Sequence, residues 1–207
     1  MIKKLQALKA KKGFTLVELV VVIAIIGVLA AILVPTMMGV VQDSRITSAN
    51  SAAQQIKDRT TEFLTKMDAA KTSLTNAGDV AITLTVGATA NTWSASASPA
   101  TTWLGGTDHL GSSVTAGSGN KDSELVAYLA DTLSDMKKGY GMIYIRDGKV
   151  LGVTLVEGAT SSGDLGSATL PAAGDFANGT FTFGGTKAGV NGNTVIGTAP
   201  TLTLGNA

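Results

Sequence analysis

The chain has no cysteine and a single histidine, His109. The first absence excludes disulfides, thiolate nucleophiles and cysteine metal sites, so an exported domain of this sequence must be held by its core and hydrogen bonds alone. The second removes the paired histidines of a zinc site, and a serine–histidine–acid triad would have to centre on His109, which lies in a Gly/Thr-rich stretch and reads as an exposed spectator. A phosphate-binding glycine loop with its lysine is also missing. Asp108, Asn120, Asp122 and Glu124 could offer oxygens to calcium, but their spacing is not that of an EF-hand loop. The expectation is no enzyme, no cofactor and no metal.

Aromatic residues are scarce at 5%, which makes Trp93 and Trp103 stand out. They either anchor a loop to the core or present a stacking face to a sugar ring, so both are candidate glycan contacts. Positive charge is concentrated at the start: Lys3, Lys4, Lys9, Lys11 and Lys12 precede residue 13 with no acid among them, leaving 11 basic against 15 acidic side chains in the rest. A mildly acidic remainder lacks the basic footprint that neutralises phosphates, so nucleic acid is not an expected partner.

What the sequence does have is a largely apolar run of 28 residues, 14–41, that follows the lysines. As a helix it would be about 42 Å long, against roughly 30 Å for a bilayer's hydrocarbon core. Lysines ahead of such a span hold that end in the cytoplasm. A secretory signal would have a shorter apolar core and an Ala-x-Ala-like site. A plain anchor explains the lysines and the span but not the combination of Gly13, Phe14 and Glu18. A carboxylate within a membrane span costs roughly 2.5 to 3.5 kcal/mol at the bilayer centre, so Glu18 calls for a partner.

The stretch Gly13-Phe14-Thr15-Leu16-Val17-Glu18-Leu19 resembles the prepilin cleavage motif of type IV pilins, and the resemblance covers residues 1 to about 75. It implies a leader, 1–13, removed after Gly13 by a membrane prepilin peptidase that also methylates the new amine of Phe14. It implies that Glu18 pairs with the freed amine of a neighbouring copy and sets subunit register. Pro35, which removes a backbone donor and should kink the helix near residues 31–35, sits where such pilins have one, and the 27–35 segment would lose helical form in a filament. Ala24, Gly27 and Ala31 form a small-residue stripe suited to close helix packing. Many pilins of this type carry a disulfide near the C-terminus, and here the chain departs from them.

The function implied is a structural type IV pilus subunit, held single-pass in the cytoplasmic membrane with its N-terminus inside and then polymerised into a surface filament. Its partners would be other copies of itself, the prepilin peptidase/methyltransferase, a pilus assembly platform and the membrane. Alternatives are a pseudopilin of a type II secretion or DNA-uptake system, and a membrane-anchored adhesin module that grips polysaccharide surfaces.

Beyond Pro35 the apolar spacing changes. Val41, Ile46, Ala49, Ala53, Ile56, Phe63, Met67, Ala70 and Leu74 fall at steps of three, four or seven, an amphipathic stripe that predicts a helix continuing over 42–77 and stopping at Asn76-Ala77-Gly78. Residues 78–207 should form a β-rich head. Alternation predicts a strand over 79–86, residues 87–120 read as a long surface loop, and Asp122 or Ser123 should cap a helix burying Leu125, Val126, Leu129, Leu133 and Met136 and closing at Lys137, Lys138 and Gly139. Residues 140–146 and 149–156 predict a hairpin turned by Asp147-Gly148. Shorter strands are expected at 180–183, 194–196 and 201–204, in more antiparallel sheet. Asn178-Gly179-Thr180 fits the N-glycosylation sequon, and the Ser/Thr-rich loop could carry O-linked sugar. The fold class expected is α+β: a long N-terminal helix, its first half membrane-embedded, packed on an antiparallel sheet in a pilin-like head.

Overall fold

A long helix, α1 (Leu16–Ala69), opens the structure and carries a change of environment along its length. The computed structural model describes residues 14–86, 93–104, 106–107, 113–114, 121–134, 139–159, 169–183, 190–191 and 194–206, and the chain divides into two units between Asp43 and Ser44. In the first unit the large apolar side chains from Phe14 onward are exposed, from Phe14 at 79% to Val20 and Val22 at 47%. By length and composition α1 can cross a membrane. The helix runs through Pro35, and the Thr36 hydroxyl beside it donates to the carbonyl of Leu33 at 2.9 Å.

In the second unit α1 buries Ala49, Ala53, Ile56, Thr60, Phe63, Leu64 and Met67. Thr60 and Leu64 were not in the expected stripe. Thr60 enters the core because its hydroxyl is satisfied within the helix, donating to the Ile56 carbonyl at 2.7 Å. The helix also ends earlier than the expected stop at Gly78. Lys71 takes a left-handed conformation (φ 60°), and Lys71 N donates to Asp68 O while Thr72 N donates to Met67 O, both at 2.9 Å. This is a Schellman closure with lysine in the place that glycine usually fills.

Six strands form the main sheet in the order β2-β1-β5-β6-β9-β8, every neighbour antiparallel: β1 (Asp79–Val86), β2 (Trp93–Ser98), β5 (Gly139–Arg146), β6 (Lys149–Glu157), β8 (Val190–Asn191) and β9 (Thr194–Ala199). The expected hairpin is β5–β6. Asp147 (φ 50°) and Gly148 (φ 74°) both have positive φ, as a type I′ turn requires. Strand β2 corrects the reading of 87–120 as one long loop: Trp93-Ser-Ala-Ser-Ala-Ser98 alternates with period two, but its residues are too small to give a strong β signal. Among the described residues there are also two ribbons, β3 (Gly106–Thr107) with β4 (Ser113–Val114), and β7 (Thr180–Phe183) with β10 (Thr203–Asn206). β7 and β10 pair in parallel, where antiparallel pairing was expected, and β10 starts two residues after the predicted 201.

Helix α2 (Lys121–Leu133) buries Leu125 and Leu129 as expected. Its predicted cap does not form with Asp122, whose Oδ1 instead accepts the Thr101 hydroxyl at 2.9 Å. Met136, Lys137 and Lys138 lie outside the described residues. Helix α3 (Ala173–Asn178) covers the other face of the sheet with Phe176.

The principal core lies between α1, α2 and the sheet. Ile56, Phe63 and Met67 meet Val80, Ile82 and Leu84 of β1, Ile143 and Ile145 of β5, and Val153 and Leu155 of β6. Side chains of opposite parity, Tyr140, Tyr144 and Val156, pack on the far face. Central strands are thus apolar on both sides, while outlying β1 and β2 keep a hydroxyl-bearing outer face. Helix and sheet approach closely at Gly197, where an added Cβ would lie 2.2 Å from the backbone C and O of Ala49. There Asn50 Oδ1 accepts the Thr198 N–H at 2.8 Å.

Candidate assembly site

Phe14 is 79% exposed and Thr15 immediately precedes α1. Thr15 is the N-cap: its Oγ1 accepts the Glu18 N–H at 3.2 Å, while Glu18 Oε2 accepts the Thr15 N–H at 2.9 Å and the Thr15 hydroxyl at 2.7 Å. These reciprocal bonds are a capping box, and the carboxylate sits where the helix dipole is positive. Glu18 therefore has a local partner in the single chain. Sequence reasoning singled out Glu18 and missed Thr15, although Thr15-Leu16-Val17-Glu18 spells the S/T-x-x-E signature openly.

Ala24, Gly27 and Ala31 all lie in the exposed part of α1, and a Cβ added at Gly27 meets nothing within 4 Å. Pro35 lies 17 residues beyond Glu18 on the same helix. Gly13 and the lysines before it, like His109, Asp108 and Asn120, lie outside the described residues.

The two tryptophans are placed differently from a paired stacking face. Trp103 is 3% exposed and meets the Phe63 ring edge-on, with centroids 6.2 Å apart and planes at 87°. Trp93 is half-buried and packs against the same core. Both Nε1 atoms are buried with no hydrogen-bond partner among the described residues. Of the four candidate calcium ligands, Asp122 is engaged by Thr101 and Glu124 Oε1 by Lys121 Nζ. No group of three or more His, Cys, Asp or Glu among the described residues could hold a metal ion. Asn178 and Thr180 of the sequon are exposed, flanking Gly179 in its left-handed C-cap conformation.

Electrostatics in the head are local. Arg146 grips Asp79 through two bonds, Nε to Oδ1 at 2.5 Å and Nη2 to Oδ2 at 2.8 Å, holding that carboxyl below the usual aspartate range. Asp122 is shifted the other way, since burial disfavours its charged form more than the Thr101 hydroxyl supports it. Lys66 donates to Tyr128 Oη at 2.7 Å and pairs with Glu62 at 2.9 Å; the phenol and the carboxylate together raise its pKa.

A helix apolar all round and then striped, followed by an antiparallel sheet, defines an α+β, pilin-like architecture. Residues 46–203 match the family described as Domain of unknown function (DUF5021), and since that match takes in most of the chain, the protein belongs to this family. Residues 8–34 match the prokaryotic N-terminal methylation motif, so the N-terminus is of the type IV pilin kind. A fimbrial protein of Pseudomonas aeruginosa is 46% identical over 50 residues, covering 24% of this chain and 32% of the relative. A fimbrial protein of Moraxella nonliquefaciens is 44% identical over 50 residues, with the same shares. The chain thus spans about a third of the length of these curated relatives. No solved structure matches it.

Proposed function

We propose that this protein is a structural subunit of a type IV pilus, held in the membrane by the first half of α1 and polymerised through it into a surface filament. The observation that carries this reading is the exposed apolar surface of residues 16–41, none of whose large side chains is buried among the described residues, and most of which lies within the methylation motif matched over residues 8–34. Such a surface requires lipid or other helices around it. In this reading the peptidase cuts after Gly13 with the leader lysines on the cytoplasmic side, and Phe14 becomes the methylated N-terminus. Exchange of lipid for neighbouring helices trades one apolar environment for another, so packing at Ala24, Gly27 and Ala31 selects the arrangement, with the assembly platform supplying the work.

Glu18 supplies register. In the single chain its carboxylate is held by Thr15, which lowers the cost of carrying it in the span. The freed amine of a neighbouring Phe14 adds the opposite charge where the low dielectric makes pairing strong. The head acts as the filament's outer surface rather than as an enzyme.

A pseudopilin of a secretion or DNA-uptake system shares every one of these features, and long extracellular filaments dominated by this subunit, seen by electron microscopy, would separate the two. A polysaccharide-gripping anchor module has less support, because Trp103 is inside the core. The test is Glu18→Val in the native host: cleaved, stable subunits that accumulate in the membrane without filaments are expected. Filaments at normal levels from that variant, or a Gly13→Leu chain that still matures, would sink the reading.

A further inference from the structure

The methionines of the described residues occupy contrasting environments. Met67 is fully buried in the head's principal core. Met142 is half-buried, and its sulfur accepts the Tyr144 hydroxyl at 3.3 Å. Met37 and Met38, neighbours on α1, are instead 51% and 62% exposed.

The exposed pair also lies at a particular depth. At about 1.5 Å per residue, roughly 30 Å of hydrocarbon takes about 20 residues of helix, so a span that begins at Leu16 ends near Pro35. The apolar run nevertheless goes on to Val41. In the membrane-held subunit proposed above, the two thioethers therefore stand in the headgroup layer on the side away from the leader, where water and dissolved oxidants reach them. In the filament of the same reading they lie among copies of α1, out of that reach.

We infer that Met37 and Met38 form a redox-sensitive site, and that their oxidation to methionine sulfoxide by a peroxide keeps a subunit out of the filament. The inference rests on the pilus reading. In the reaction a sulfur lone pair attacks one oxygen of hydrogen peroxide and the O–O bond breaks. The proton on the transferred oxygen passes to the departing hydroxide, giving water; sulfur is oxidised and the peroxide reduced, each by two electrons. The product replaces a flexible apolar side chain with a polar S–O acceptor. Water satisfies that acceptor in the headgroup layer. Between packed helices it has no such donor: Leu33, Val34, Val40 and Val41 around the pair in sequence are apolar, and the Thr36 hydroxyl is already given to the Leu33 carbonyl. Packing the oxidised pair would thus bury an unsatisfied polar group in every subunit.

The test exposes native-host cells carrying the full chain to dilute hydrogen peroxide before filaments regrow, then maps the digested protein by mass and weighs the sheared filaments. One added oxygen on each of Met37 and Met38 is expected at doses that leave Met67 unmodified, with filament yield falling roughly tenfold or more. Met37→Leu/Met38→Leu should assemble normally and keep its yield under the same dose, whereas Met67→Leu should remain as sensitive as wild type. Treatment of oxidised, detergent-extracted wild-type subunits with methionine sulfoxide reductase should remove both added oxygens. Oxidation of Met67 at the same dose as the pair, an undiminished wild-type yield with the pair oxidised, or an equal loss in the double leucine variant overturns the inference. Absence of filaments from untreated wild-type cells is a different failure: it sinks the pilus reading and the assembly step with it, while the order of oxidation still decides whether the pair is the sensitive site.

Discussion

Two stretches of one helix use the same kinds of residue to opposite ends. In residues 16–41 the large apolar side chains remain between 47% and 78% exposed, whereas Ala49, Ala53, Ile56, Phe63 and Met67 are at 0%. Composition separates them, with Glu18 the one charged side chain in 16–41 against seven in 44–69, and so does periodicity. The first stretch is apolar all round and offers no polar side to water, so it cannot be completed by any one layer of its own domain. The second is striped, and β1, β5 and β6 complete it. On the proposed function one stretch serves folding and the other association, and the two should respond separately to mutation.

The largest expected contrast is between two isoleucines. Ile56→Ala removes a fully buried side chain and should cost about 2–5 kcal/mol of head stability. Ile26→Ala alters a side chain that is 58% exposed and should leave the head's unfolding transition in place. Thermal unfolding of the full chain in detergent, followed by near-UV circular dichroism of the buried Trp103, checks both. A matching drop in the two variants would dissolve the distinction between the stretches.

A smaller effect separates two glycines. At Gly197 the added methyl would meet the Ala49 backbone at 2.2 Å, and backbone cannot swing aside as a flexible side chain can. Gly197→Ala should cost about 1–3 kcal/mol, the usual penalty of overpacking. At Gly27 the same methyl meets nothing within 4 Å, so Gly27→Ala should leave the head's transition unmoved and act, if at all, on filament yield. Equal melting of Gly197→Ala and wild type would show that helix and sheet do not need this contact.

Much of this division was legible in the sequence because each part announces itself in a different currency. The lysines ahead of residue 13, Gly13-Phe14 and Glu18 are chemical signals that chance seldom assembles in one place, and residues 8–34 match the prokaryotic N-terminal methylation motif. The change from an all-round to a three-four pattern after Pro35 gave the stripe, and Asp147-Gly148 gave the turn, since both residues tolerate the positive φ it demands. What escaped depended on tertiary context. β2 is built of serine and alanine, weak strand formers, and is held by pairing to β1. The end of α1 rests on Lys71 in a conformation that local propensity assigns to glycine. Trp103 could be read as anchor or platform until Phe63 was found against it. Thr15 is different: the capping box was in plain view and was overshadowed by the charge beside it.

The smallest expected effects come from two aspartates in the head whose titrations oppose each other. Arg146 holds Asp79 below its ordinary value of 3.8, so the pair's stabilisation is present above that value and fades as pH falls through the lowered one. Burial raises Asp122 above the same ordinary value, so its folded form keeps a proton that the unfolded chain has already released. Between the ordinary and the raised value stability therefore declines with rising pH, and the cost persists at neutrality. Asp79→Asn should lower the melting temperature slightly at neutral pH and converge with wild type in strong acid. Asp122→Asn keeps an oxygen for the Thr101 hydroxyl while removing the charge, and should raise it at neutral pH with no gain in acid. Because both carboxylates sit in the second unit, neither substitution should alter the association of residues 16–41, and melting curves of the two variants across the acid range, set beside their filament yields, test that separation at its finest grain.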